Sequence, residues 1–360
     1  MAIAISRTIP ASAVALRQPV SGKLRTSDNM MAALAACALV LAFARPSLAA
    51  DDAPKAADQR PLTIDDFSVV ELRATAMRDA RSARTLGSSR QGSGIVIDSS
   101  GLILTIGYLI NETENIEVIA TDRRPVTASV IGYDSTTGFG LLRAATPLQV
   151  KPIEFGTSDK IGDKEPVLIV GYDGAAPALV VSRRPFVGSW EYLLDEAIFT
   201  APATTGWSGA ALINREGKLV GVGSLAVADA LGSERYLPGN MFVPIDLLKP
   251  ILGELIANGK PASRPRPWIG INTQDVQGKV VVTRVSPESP AEAGGVHAGD
   301  IILGIRGQAL VGQADFYRKL WASGEAGAEI VLDIIQGTEV RKVKLQTADR
   351  DSYFRARPIY

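Results

Sequence analysis

Gln91-Gly92-Ser93-Gly94-Ile95-Val96-Ile97-Asp98-Ser99-Ser100-Gly101-Leu102-Ile103-Leu104-Thr105 reads as two apolar strands joined through a tight turn at Ser99-Ser100-Gly101. The same device returns at Ala211-Leu212-Ile213, where Asn214-Arg215-Glu216-Gly217 turns the chain into Leu219-Val220-Gly221-Val222. Between the two hairpins, 167–170 and 179–181 are further short β-rich runs. Many close-set strands over about 180 residues, with few helical periods, predict a β-barrel or sandwich domain over 62–257. One helix is expected at its end, over 245–257. Gly259, Pro261, Pro265 and Pro267 alternate with Lys and Arg, which makes 258–267 a semi-rigid linker. A second, smaller domain follows over 268–348, with strands at 280–285, 301–305, 329–335 and 340–345 and short helices at 290–293 and 313–322. Residues 349–360 form a C-terminal tail.

Composition narrows the chemistry. At 360 residues the chain holds about two domains. Its 38 Lys+Arg balance 38 Asp+Glu, so there is no electrostatic footprint for nucleic acid. One cysteine, Cys37, cannot build a disulfide framework, a thiolate zinc cage or an iron–sulfur site. With a single histidine, His297, a metal site is not expected either, and neither is a cofactor.

Arg7, Arg17, Lys23 and Arg25 precede an uncharged stretch over 30–44, and Ser47-Leu48-Ala49 then offers small residues for cleavage. This is the pattern of a signal peptide over 1–50, followed by a polar, Ala- and Pro-containing leader over 51–61. The apolar run is shorter than the roughly 20 residues of a spanning helix. Secretion to a bacterial periplasm is the expectation. The long basic segment leaves an organellar transit peptide open.

The 91–105 hairpin, Gly206-Trp207-Ser208-Gly209-Ala210-Ala211-Leu212-Ile213-Asn214, Ser286-Pro287-Glu288-Ser289-Pro290-Ala291-Glu292-Ala293-Gly294 and Ala298-Gly299-Asp300-Ile301-Ile302 follow one another in an order that resembles the HtrA (Deg) family. The resemblance covers nearly all of the chain beyond the signal peptide. It implies a mostly β protein: a trypsin-like double β-barrel followed by a C-terminal PDZ domain. It also implies a quality-control role and a homo-trimer, or assembly with active relatives.

Carried over position by position, the resemblance puts Ser208 at the nucleophile, Tyr108 where the family has its general-base His, and Gly138 where it has the orienting Asp. Backbone N–H groups of Gly206 and Ser208 fall at the oxyanion hole, with Trp207 and Ala210 altering the turn. Acyl transfer by Ser needs a neighbouring base that takes its proton near neutral pH. His does this, and the first domain has none. An unperturbed Tyr is about one part in a thousand phenolate at pH 7. Ser208 then reads as a retained turn residue, and Tyr108 and Trp207 as fillers of a vacated cleft.

In the second domain, Trp268-Ile269-Gly270-Ile271 matches the family's carboxylate-binding loop, and the strand from Asn272 offers an edge to an added strand. On the facing helix Phe316 and Leu320 share one face and Tyr317 and Trp321 another, so one pair can line a groove while the other enters the core. Peptide binding is expected at Trp268, Ile269, Gly270, Ile271, Phe316 and Leu320, with partners that are C-terminal peptides or unfolded proteins. The end of the chain, Pro358-Ile359-Tyr360, is itself a candidate ligand. The reading is a secreted, catalytically degenerate protein that binds, scaffolds or regulates. An active serine endopeptidase using Ser208 with a non-standard base, or a chaperone-like holdase, are the alternatives.

Overall fold

The computed structural model describes residues 63–233 and 236–354. The expected signal peptide, the leader and the last residues of the tail lie outside them. Six strands form a first closed barrel: β1 (Val69–Ala76), β2 (Ser89–Val96), β3 (Leu102–Ile106), β4 (Thr113–Ile119), β5 (Pro125–Tyr133) and β6 (Phe139–Ala144), in the order β1-β2-β3-β6-β5-β4. Pairing of Leu72 with Val118 closes it. A second barrel runs β10-β11-β12-β9-β8-β7, from β7 (Pro166–Gly171), β8 (Gly174–Gly188), β9 (Tyr192–Ala201), β10 (Ala211–Ile213), β11 (Leu219–Val227) and β12 (Gly239–Pro244). Leu212 opposite Ile169 closes this one. Closure removes the exposed sheet edges that such strand-rich sequences would otherwise present.

Every residue of β3 is buried, because its inner face fills the first barrel while the strand packs against β11 of the second. The expected helix over 245–257 is interrupted. After the one-turn helix α1 (Ala83–Leu86) of the first barrel, the next helical stretch is a 3₁₀ turn, Ile245–Leu247, that gives way to a short helix, α2 (Leu252–Asn258), with Pro250 between them. Proline lacks the N–H that a continuous helix would need there, and its ring crowds the preceding turn.

The C-terminal sheet is antiparallel, β14 (Ile271–Val276), β15 (Lys279–Val285), β16 (Ile301–Ile305), β18 (Glu329–Gln336) and β19 (Glu339–Gln346) in that order, with β17 (Gln308–Ala309) beside β16. Helices α3 (Pro290–Ala293) and α4 (Gln313–Ala322) pack on it. Ser289 caps α3 through its hydroxyl, with Pro290 opening the helix. A two-stranded pair joins β13 (Pro267–Trp268) to β20 (Ala348–Asp349), tying the start of the domain to its end. Helix α5 (Arg350–Tyr353) then brings Tyr353 onto the Trp268 ring, at 4.6 Å between centroids, and Arg81 of the first barrel's loop lies 4.4 Å over the other side of Tyr353. The linker is bonded rather than free: Gly259 accepts from the Tyr133 N–H, and Pro265 from the Ala326 N–H.

Candidate functional site

Three sequence-singled residues of the first domain meet where the barrels face each other. Tyr108 sits on a 3₁₀ turn, Gly107–Leu109, directly after β3. Arg90 holds that turn, donating to the Tyr108 and Asn111 carbonyls and to the Ser82 hydroxyl. Gly138 is bonded to the same turn, its carbonyl accepting from the Gly107 N–H at 2.7 Å. Ser208 stands on the loop before β10, and its carbonyl accepts from the Ser93 N–H at 2.8 Å.

The hydroxyl geometry assigns the protons. Tyr108 Oη is 2.8 Å from the Ser224 carbonyl oxygen, which can only accept, and 2.9 Å from Ser208 Oγ. A phenol has one proton, so it goes to Ser224, and Ser208 donates to the phenol oxygen. Burial pushes the Tyr108 pKa above its ordinary value, opposed only in part by the bond from Ser208. The nucleophile position therefore points its proton at a neutral phenol.

Nothing at position 138 could orient a base. Gly138 has φ of +85°, a conformation costly for residues with a Cβ, and its N–H is spent on the Asp134 carbonyl. The buried Asp134 folds back on its own loop, accepting from the Thr136 and Thr137 N–H groups and from the Thr137 hydroxyl at 2.6 Å. At the oxyanion position the structure adds a residue that sequence reading missed. Asp173 Oδ1 stands 1.7 Å from where a Cβ on Gly206 would be, and its other oxygen accepts from the Thr205 hydroxyl. Asp173 therefore holds residue 206 to glycine. His297 is in the second domain, its ring nitrogen 2.9 Å from the Gln336 amide.

A cavity of about 1110 Å³ opens over Tyr108, walled by Trp190, Tyr192, Trp207 and Trp268 and rimmed by Arg81 and Arg284. Its walls come from both barrels and from the C-terminal domain.

The loop expected to bind a carboxylate faces one supplied by the chain itself. Gly270 adopts φ of +86°, and a Cβ there would meet Ser289 Cβ at 2.2 Å, so the turn requires glycine. The N–H groups of Gly270 and Ile271 donate to Glu191 Oε1 at 2.7 and 3.0 Å, and that of Ile269 to Oε2 at 3.2 Å. Glu191 belongs to the turn between β8 and β9. No sequence signal distinguished it from an ordinary exposed turn acid. On α4 the residues that reach this turn are Tyr317 and Gln313, both bonded to the Gly188 carbonyl. Phe316, Tyr317 and Leu320 are all fully buried, and Trp321 is half-buried. The expected division of α4 into a groove pair and a core pair gives way to one continuous apolar cluster. That cluster also holds Ile269, Ile271 and Leu193 of β9.

Burial pushes the Glu191 pKa up to about 7, against the pull of its three N–H donors and of Arg350. Tyr317 is the other titratable group facing it. Because the folded value exceeds the unfolded one, the associated stability is present at low pH and is lost as pH rises through about 7. Glu191→Gln removes the titration. Urea unfolding should show wild type losing up to about 3 kcal/mol relative to this variant between pH 5 and pH 8. Parallel pH profiles for the two proteins would contradict the assignment.

Comparison with known proteins agrees with this architecture. A family profile described as "Trypsin-like peptidase domain" matches residues 92–222, and one described as "PDZ domain" matches residues 267–347. A relative from Marinomonas sp., named "probable periplasmic serine endoprotease DegP-like", is 29% identical over 249 residues, covering 62% of this chain and 49% of its own. A Pseudomonas putida protein of the same name is 27% identical over 285 residues, 72% and 56% of the two chains. A Haemophilus influenzae "probable periplasmic serine protease do/HhoA-like" is 28% identical over 288 residues, 72% and 59%. The chain thus spans about half the length of the curated relatives it matches. Among solved structures, "HtrA-type protease AlgW with decapeptide" covers 82% of this chain and 100% of its own at 18% identity and a TM-score of 0.48. The chain combines a trypsin-like double-barrel domain with a C-terminal PDZ domain and is similar to the DegP-like and HhoA-like proteins named above.

Proposed function

We propose that this chain is a secreted, periplasmic binding protein of protein quality control whose protease cleft is silent and whose PDZ domain captures chain termini. The observation that carries the reading is the Ser208–Tyr108–Ser224 arrangement. The hydroxyl that should be activated donates to a half-buried neutral phenol, whose own proton is committed to a carbonyl. The relatives' printed names support the compartment, and favour the periplasm over an organelle. The convergent N–H groups of Ile269, Gly270 and Ile271 support carboxylate recognition, since they already bind a carboxylate.

Labelling with a serine-reactive fluorophosphonate tests the silent cleft: Ser208 should take up no more label than Ser208→Ala. Strong labelling that vanishes in the variant would restore the endopeptidase reading. A peptide with a free terminal carboxylate should bind the full chain, and its C-terminal amide should not. Micromolar affinity, about −8 kcal/mol, is the scale for so small a contact. Equal binding of acid and amide in a titration would remove carboxylate recognition.

A further inference from the structure

The turn between β8 and β9 docks on the C-terminal domain. The turn Ser189-Trp190-Glu191 leaves the second barrel between β8 and β9 and enters the space between β14 and α4. Its contacts are those that an extended peptide ending in a carboxylate would make in such a groove. The Ser189 carbonyl accepts from the Thr273 N–H at 2.8 Å, a backbone bond to the edge of β14. One residue earlier, the Gly188 carbonyl accepts from Tyr317 Oη at 2.9 Å and from Gln313 Nε2 at 3.2 Å. The Glu191 N–H in turn donates to Tyr317 Oη. The Glu191 carboxylate then takes all three N–H groups of the loop, and Leu193, 7% exposed, enters the apolar cluster with Ile271, Phe316 and Leu320.

A further observation marks this as a built site: Glu191 is 5% exposed, with both oxygens engaged, whereas an acid at a hairpin tip ordinarily remains in water.

We infer that the Gly188–Leu193 turn is an internal ligand of the carboxylate loop, with Glu191 standing for the terminal carboxylate and Leu193 for the apolar last residue, so that an arriving C-terminal peptide must displace it. One loop cannot accept two carboxylates, because three N–H donors serve one anion. The inference rests on the reading of the PDZ domain as a terminus-binding module and adds what that module competes with.

The test uses the full chain and two readouts. Hydrogen exchange read by mass spectrometry reports the Ile269, Gly270 and Ile271 amides, and fluorescence polarisation reports a labelled decapeptide ending in Leu with a free carboxylate. Glu191→Ala should accelerate exchange at 269–271 at least tenfold while β1–β12 keep their protection, and should bind the decapeptide at least tenfold more tightly than wild type. If Glu191→Ala loses protection throughout the barrels, Glu191→Gln replaces it. Gln keeps the size and one acceptor oxygen, and the same changes are expected at about threefold. Unchanged exchange at 269–271 overturns the internal ligand. Faster exchange with an unchanged, measurable peptide affinity overturns the competition. Faster exchange with no binding of the acid to any variant keeps the internal contact and removes terminus binding instead, so the two readings fail separately.

Discussion

Incubated with unfolded casein between pH 6 and 9, the purified chain should release no more peptide than Ser208→Ala. Attack by Ser208 requires its proton to leave as the Cγ-free, short hydroxyl approaches a carbonyl, and the same acceptor must then hand the proton to the departing amine. The acceptor here is Tyr108 Oη. A neutral phenol is a feeble base. Its phenolate is stronger, but burial raises the Tyr108 pKa and leaves that form scarcer than the roughly one part in a thousand of an exposed Tyr at pH 7. Where the base is removed from a serine protease, turnover falls by about six orders of magnitude, leaving what binding and the oxyanion hole supply. Release of acid-soluble fluorescence that disappears in Ser208→Ala would overturn the expectation.

The second large effect is a failure of repair. Tyr108→His combined with Gly138→Asp returns the two missing residue types, yet the rate should remain at least about a hundredfold below that of a working triad. The reason is local. Both the N–H and the carbonyl of residue 138 are bonded, which holds its backbone at φ of +85°, beyond the left-handed region that Asp adopts best. A Cβ there meets only ordinary contacts, but Trp207 and Ala210 still alter the turn that carries Ser208. A misplacement of about 1 Å costs about a hundredfold in such chemistry. Initial rates of casein cleavage, with Ser208→Ala added to the double variant as the blank, measure the effect. Full turnover would show that the cleft keeps the geometry of an active site.

Much of this molecule is legible in its residue order. The hairpin at 91–105, its echo at 211–222 and the proline-marked linker lead to a barrel domain and a second small domain, because strand alternation and turn chemistry are local properties. Equally legible is that the single His, His297, lies outside the first domain, the observation from which the silent-cleft proposal starts. Even the break in the expected 245–257 helix has a local signal in Pro250.

What residue order alone could not supply are the pairings between distant segments. Ser224 is 116 residues from Tyr108, and only their contact shows which way the phenol proton points and therefore which way that of Ser208 points. Asp173 gains meaning from Gly206, against which the fold sets it. Glu191 reads in sequence as a solvated turn acid, and Phe316 and Leu320 as candidates for an open groove. Docking of the β8–β9 turn buries the acid on three N–H groups some 80 residues away and draws Leu193 into the cluster around α4. The sequence determined which chemical groups the protein has and lacks, because composition and local periodicity are written along the chain. The tertiary structure alone decided which donor faces which acceptor, because a hydrogen bond depends on separation in space, and closing long loops around a shared core sets that separation.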